Sequence, residues 1–184
     1  VLFRSVNALY SSLNRVKIHL PSKELDTWED IADRISSHKF ALAVFSTRSD
    51  AQNVYDMVCL KTDIAVVHLS ATMCPIHRTN KLNEVRHNLA NNIPVILIST
   101  QVVEAGVDLD FPIVYRAIAG LDSIAQAAGR CNREGKLEYG EVFLLNTESK
   151  LHPSRKKPIS LTRGVFRDKH FFLCKKRPQV IRRM

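Results

Sequence analysis

Gln126, Arg130 and Arg133 fall within the eight residues of QAAGRCNR, with Gly129 among them. A guanidinium is planar, permanently charged and forked. It can bridge phosphoryl oxygens, offset the charge that develops on transfer and register the departure of the phosphate. On a continuous helix Gln126 and Arg130 stand at i and i+4, and Gln126 and Arg133 at i and i+7, so the three share one face. The competing reading is a solvated helix with two surface arginines. Upstream lies STQVVEAGVD, residues 99–108. Gly106 there permits close backbone approach, Asp108 can accept a hydrogen bond from a ribose hydroxyl, and Glu104 can order the loop between two ligands. Ser99 and Thr100 offer hydroxyls and amides that can hold a nucleic-acid phosphate. Taken alone, the same segment also reads as a polar turn in which Gly106 serves only the turn.

Two further segments carry phosphate chemistry. FSTRSDA places Ser46, Thr47 and Arg48 at a strand end and a helix start, where amides and hydroxyls converge on an anion. Capping of that helix by Ser49 or Asp50 is the alternative. HLSATMCPIHR offers His68 and Ser70 at another strand end, followed by Arg78 early in a helix. Arg78 would contact a nucleic-acid backbone or make a surface ion pair; His68 reads as a packed, hydrogen-bonded histidine. The chain has no GxxxxGK[ST] phosphate loop, no DExx acidic pair after a strand and no His-Asp dipeptide. The expectation is that this chain alone neither hydrolyses ATP nor cuts DNA.

The elements that must position these residues are set by hydrophobic period. Mainly apolar runs at 41–46, 64–70, 94–99, 112–118 and 140–146 suit strands buried on both faces of a parallel sheet, and 16–20 reads as a short strand. Helices are expected at about 27–37, 49–60, 75–90 and 123–131. Strands alternating with helices indicate an open α/β layer fold with right-handed crossovers, whose ligands lie at the carboxyl ends of the strands.

With 184 residues and 45% hydrophobic content, one core and one domain are expected. Residues 1–15 show no clear period, 16–149 form the domain, and 150–184 read as a basic, poorly packed tail. The formal charge of +9 is unevenly placed: 150–184 hold twelve Lys and Arg against the single acid Asp168, while 1–149 hold fifteen against seventeen acids. Basicity therefore says little about the folded part. Cys59, Cys74, Cys131 and Cys174 are scattered and read as reduced thiols, and no metal site is assigned. No apolar run of about eighteen residues and no signal-peptide pattern occurs, so a cytoplasmic, non-membrane protein is expected.

Assembled, these segments resemble the second RecA-like domain of superfamily 2 helicases, and more narrowly the helicase-nuclease of type I CRISPR systems. FSTRSDA resembles helicase motif IV, HLSATMCPIHR the segment after it, STQVVEAGVDLDFP motif V and GLDSIAQAAGRCNREG motif VI. The words VEAGVD, LDSIAQAAGR and CNREG narrow the likeness, which runs from about Ile18 to Asn146. The resemblance implies a RecA-like open, mostly parallel sheet of the P-loop NTPase type, with helices on both faces. It implies motif VI arginines at Arg130 and Arg133, a nucleotide-sensing aspartate at Asp108, and single-stranded DNA crossing the side of Ser46, Thr47, Arg78, Ser99 and Thr100. It further implies ATP, with Mg2+ bound mainly by a first RecA-like domain, an HD nuclease domain, and recruitment by a CRISPR surveillance complex. ATP-driven 3′ to 5′ translocation and degradation of the displaced strand are implied as well. The residues after Asn146 depart from the family pattern. A lobe of another superfamily 2 DNA or RNA helicase, or a noncatalytic nucleic-acid-binding module using the basic tail, are the alternatives.

Overall fold

The computed structural model describes residues 15–21, 25–104, 106–147, 158–162 and 164. The rest of the irregular N-terminal segment and most of the basic tail lie outside the described residues. Six strands form one sheet: β1 (Val16–His19), β2 (Phe40–Val44), β3 (Ala65–Leu69), β4 (Val95–Ser99), β5 (Ile113–Ala117) and β6 (Gly140–Leu145). All pair in parallel in the order β1-β6-β5-β2-β4-β3.

The apolar runs become central strands because both of their faces are covered. Leu42, Val44, Leu97 and Val114 enter one layer of the core, and Ala43, Phe45, Ile98 and Tyr115 the other. On the second side pack α1 (Trp28–Ser36) and α2 (Arg48–Cys59); on the first, α3 (Pro75–Ala90) and α4 (Leu121–Ala128). Helix α1 buries Ile31, Ala32 and Ile35, and each of the two isoleucine side chains stabilises the fold by roughly 1.5–3 kcal/mol. Pro75 occupies the first turn of α3, where its missing N–H costs nothing.

Three local expectations are corrected. The cap of α2 is Thr47, not Ser49 or Asp50: Thr47 is extended and its hydroxyl accepts from the Asp50 amide at 3.1 Å. The helix of QAAGRCNR stops at Ala128, because the Arg130 and Cys131 amides turn to the carbonyls of Ala127 and Ala128, and Asn132 adopts a positive φ of 45°. In the tail, 158–162 is helical, with Pro158 beside Gly120 and with Ile159 and Thr162 buried, so this part packs. A proline at a helix start was its only sequence signal.

The connection from β4 to β5 positions the site. Parallel strands need a return path, and here no α-helix supplies it. After a 3-10 turn at Gln101–Val103 the chain runs back over the sheet, anchored by Val103, Val107, Leu109 and Phe111. Helix α4 lies beside it, contributing Ile124 and Ala127 to the same layer.

Candidate nucleotide and nucleic-acid site

At the carboxyl edge of the sheet the loops after β2, β3 and β4 converge. The Phe45 amide donates to the Ser99 carbonyl at 2.8 Å, the Thr100 amide to Leu69 at 3.1 Å, and Gln101 Nε2 to Ser46 at 3.1 Å. Arg48 Nη1 reaches Thr72 Oγ1 at 3.4 Å, joining the loops after β2 and β3. The edge thus brings together Ser46, Thr47, Arg48, Ser99 and Thr100, but with unequal access. Ser99 is wholly buried and its hydroxyl donates to the Thr100 carbonyl, while Ser46 is also buried. Thr47 is engaged as a cap, and Thr100 Oγ1 is buried without a hydrogen-bond partner. Arg48 is exposed, and Arg78, half-buried on α3, has no side-chain ion pair among the described residues. His68 packs against Tyr55; burial lowers its pKa, and its Nε2 has no partner.

Beneath this edge lies a residue that sequence reading missed. Arg116, wholly buried near the end of β5, places Nη2 2.9 Å from Glu104 Oε1. Its Nη1 donates to the carbonyls of Val44 and Ala117 and to Ser46 Oγ. The signal was present in PIVYRAI: a charge inside a strand covered on both faces demands a counter-charge. Burial raises the Glu104 pKa, against the lowering by Arg116 and by a hydrogen bond from Ser123. Glu104 is thus held at its carboxylate by Arg116 and at its carbonyl by Arg130.

That carbonyl leads to the second region. Arg130 comes after α4 in a turn and donates from Nη2 to the Glu104 carbonyl at 2.8 Å and from Nε to Val103 at 3.1 Å. Burial and the neighbouring Arg133 lower its pKa, with Asp108 opposing. Arg133 places Nη1 2.6 Å from Asp108 Oδ1, with the two side chains 44% and 81% exposed. Gly106 lies two residues before Asp108 with φ of 70° and open space around its Cα, a conformation that favours glycine. Gln126 is exposed on α4, and Gly129 closes that helix in ordinary helical backbone. The structure therefore joins Arg130, Arg133, Glu104 and Asp108 in one connected corner, by turns rather than by a common helical face. A cleft opens beside Asp108, lined by Arg86, Asp110, Phe111, Asn132 and Leu137.

A family model described as CRISPR-associated nuclease/helicase Cas3, C-terminal, matches residues 37–136, which contain both regions. The chain belongs to that Cas3 family. It is 53% identical over 73 residues to a CRISPR-associated nuclease/helicase Cas3 of Haloferax volcanii, covering 39% of this chain and 8% of that relative. The crystal structure of T. fusca Cas3-ADP superposes with a TM-score of 0.61 at 20% identity, over 82% of this chain and 20% of that one. The C-terminal domain of the DEAD-box protein Dbp5 superposes at 0.60 and 12% identity, over 84% of this chain and 87% of that domain. These likenesses establish the expected RecA-like parallel fold. The chain spans a small fraction of the length of the Cas3 relatives it matches.

Proposed function

We propose that this chain is the second motor lobe of an ATP-dependent single-stranded DNA helicase or translocase that unwinds and degrades target DNA in CRISPR interference. The exposed Arg133–Asp108 pair carries the reading. An ion pair so open to water is worth about 0–1 kcal/mol, so a γ-phosphate can displace Asp108 from Arg133 at small cost. Asp108, once released, is free to accept from a ribose hydroxyl. Arg130 keeps donors in hand while it holds the loop between β4 and β5 against α4. Gln126 on α4 and Gly129 at its end complete the proposed nucleotide set with Gly106, and Glu104 supports that set from beneath.

ATP is the nucleotide in this reading, and the donor set of two guanidiniums and a carboxylate suits phosphates and a ribose. In this reading Mg2+ falls mainly to the first RecA-like lobe. Single-stranded DNA lies along the carboxyl edge, met by Arg48, Arg78, Thr47 and backbone amides, with Ser46, Ser99 and Thr100 shaping the edge from beneath. The further partners are an HD nuclease domain and a CRISPR surveillance complex, in the cytoplasm. No helix among the described residues is long and apolar enough to cross a membrane.

The test is to join the chain to a phosphate-loop lobe and measure DNA-stimulated ATP hydrolysis. Arg133→Ala is expected to lower kcat about a thousandfold, the scale of a lost arginine finger. Unchanged turnover in both Arg130→Ala and Arg133→Ala variants would sink the reading.

A further inference from the structure

The loop that presents Arg133 is held by Asp110 and Asn132, within the helicase-like segments, and by Arg15, which lies outside them. Asn132, 2% exposed and at positive φ, donates from Nδ2 to the Leu137 and Arg15 carbonyls at 2.8 and 3.1 Å. Its Oδ1 accepts from the Leu137 amide at 3.0 Å, which closes the loop on itself. Asp110 then receives the Arg133 and Glu134 amides on its two carboxylate oxygens, at 2.7 and 3.2 Å. From the other side, Arg15 Nη1 donates to the Arg133 carbonyl at 2.6 Å. The Arg15 guanidinium also lies over Gly135, whose φ of 67° makes the turn that allows this approach. Arg15 is itself fixed, because its carbonyl accepts from Gly140 at 2.9 Å, at the start of β6.

The structure assigns Arg15 and Asp110 as positioning residues for Arg133: they grip the backbone of this one residue from its carbonyl and amide sides while its guanidinium stays exposed. The inference rests on the reading of Arg133 as a nucleotide-facing arginine. A long side chain reaching a phosphate from a loose loop samples many positions, and an error of about 1 Å at such a group costs on the order of a hundredfold in rate. Both grips are charge-assisted, which makes them strong for contacts so near the surface. Arg15 directly precedes β1, so the chain that leads into the lobe is tied to the loop bearing Arg133.

The experiment uses the complete motor, this chain with its phosphate-loop lobe, and begins with Arg133→Ala. If that variant keeps normal turnover, the nucleotide-facing role of Arg133 fails first, and the inference with it. If it does not, Arg15→Ala is expected to lower kcat about ten- to a hundredfold with the KM for ATP within about twofold. Affinity for ADP with aluminium fluoride, a mimic of the transferring phosphate, should fall in proportion, while affinity for ADP should not. Arg15→Lys retains a donor and should restore most of the loss. Asp110→Asn, which keeps one acceptor, should move the same readouts by less, and carries the test if Arg15→Ala does not fold. Normal kcat in Arg15→Ala overturns the assignment, as does equal loss of both affinities. A raised KM with unchanged kcat would place Arg15 on the nucleotide itself and also overturn it.

Discussion

The carboxyl edge and the Arg133 corner each hold an arginine paired with a carboxylate, and the two pairs are opposites. Arg116 and Glu104 are buried, with Arg116 bonded to three further oxygens. Arg133 and Asp108 stand largely in water and are joined by a single contact. A buried pair cannot exchange partners, since separation leaves an uncompensated charge in low dielectric; an exposed pair exchanges cheaply. The first therefore acts as scaffold, and the second suits a switchable contact. Glu104 and Arg130 stand between them, with the Glu104 carboxylate facing Arg116 and its carbonyl facing Arg130.

The comparison breaks most visibly at Arg116. Arg116→Ala leaves Glu104 buried without its counter-charge, and the expected loss of folding free energy is about 3–5 kcal/mol in urea denaturation. Replacing both, Arg116→Met with Glu104→Leu, should recover most of that loss, since the lone charge rather than the missing pair is what costs. A double variant as unstable as the single one would contradict the argument.

The titration of Glu104 sharpens the same point. Its pKa is raised by burial and held back by Arg116, so a carboxyl-detected NMR titration should place it above its usual value, and Arg116→Met should push it higher. Between the usual and the raised value the folded form holds the proton more tightly, so Glu104 favours folding at low pH, and this contribution is withdrawn as pH climbs through that window. A Glu104 that titrates below its usual value would show the ion pair outweighing burial.

How much of this was legible in the sequence depends on the kind of contact. The strands declared themselves, because apolar runs such as ALAVF and PVILIS serve parallel strands covered on both sides. The site segments were legible as words, but the partners of Glu104, the Arg116 guanidinium and the Arg130 side chain, were not. The shared helical face of Gln126, Arg130 and Arg133 was not real, because periodicity says nothing of where a helix stops, and Asn132 at positive φ redirects the chain into the Arg133 turn. Arg15 lies 118 positions from Arg133 and Asp110 lies 23 away, and no local pattern reports a grip of that range. Arg116 was different: its charge inside an apolar strand was visible, and only its partner needed the fold.

Thr47 offers an intermediate effect. Its hydroxyl accepts from the Asp50 amide and also contacts Ser49 Oγ at 3.1 Å. Thr47→Ala should cost about 1 kcal/mol in the same denaturation series, the usual worth of a cap. Thr47→Ser should cost much less, since the accepting oxygen remains. If alanine costs nothing, Thr47 is not the cap that starts α2, and its hydroxyl is open to DNA.

Arg133 should give the smallest effect on folding. The Arg133→Ala variant loses one exposed ion pair, and its backbone grips do not involve the side chain, so the folding free energy should change by less than about 1 kcal/mol. Raising ionic strength should shrink even this difference, because exposed pairs are screened within about 8–10 Å. The contrast with Arg116 is then complete in one denaturation series: removing the same side-chain type strongly destabilises the fold at one position and barely changes it at the other. A loss at Arg133 as large as that at Arg116 would mean that the guanidinium is part of the scaffold, and Arg133 would no longer be a contact that exchanges Asp108 for phosphate.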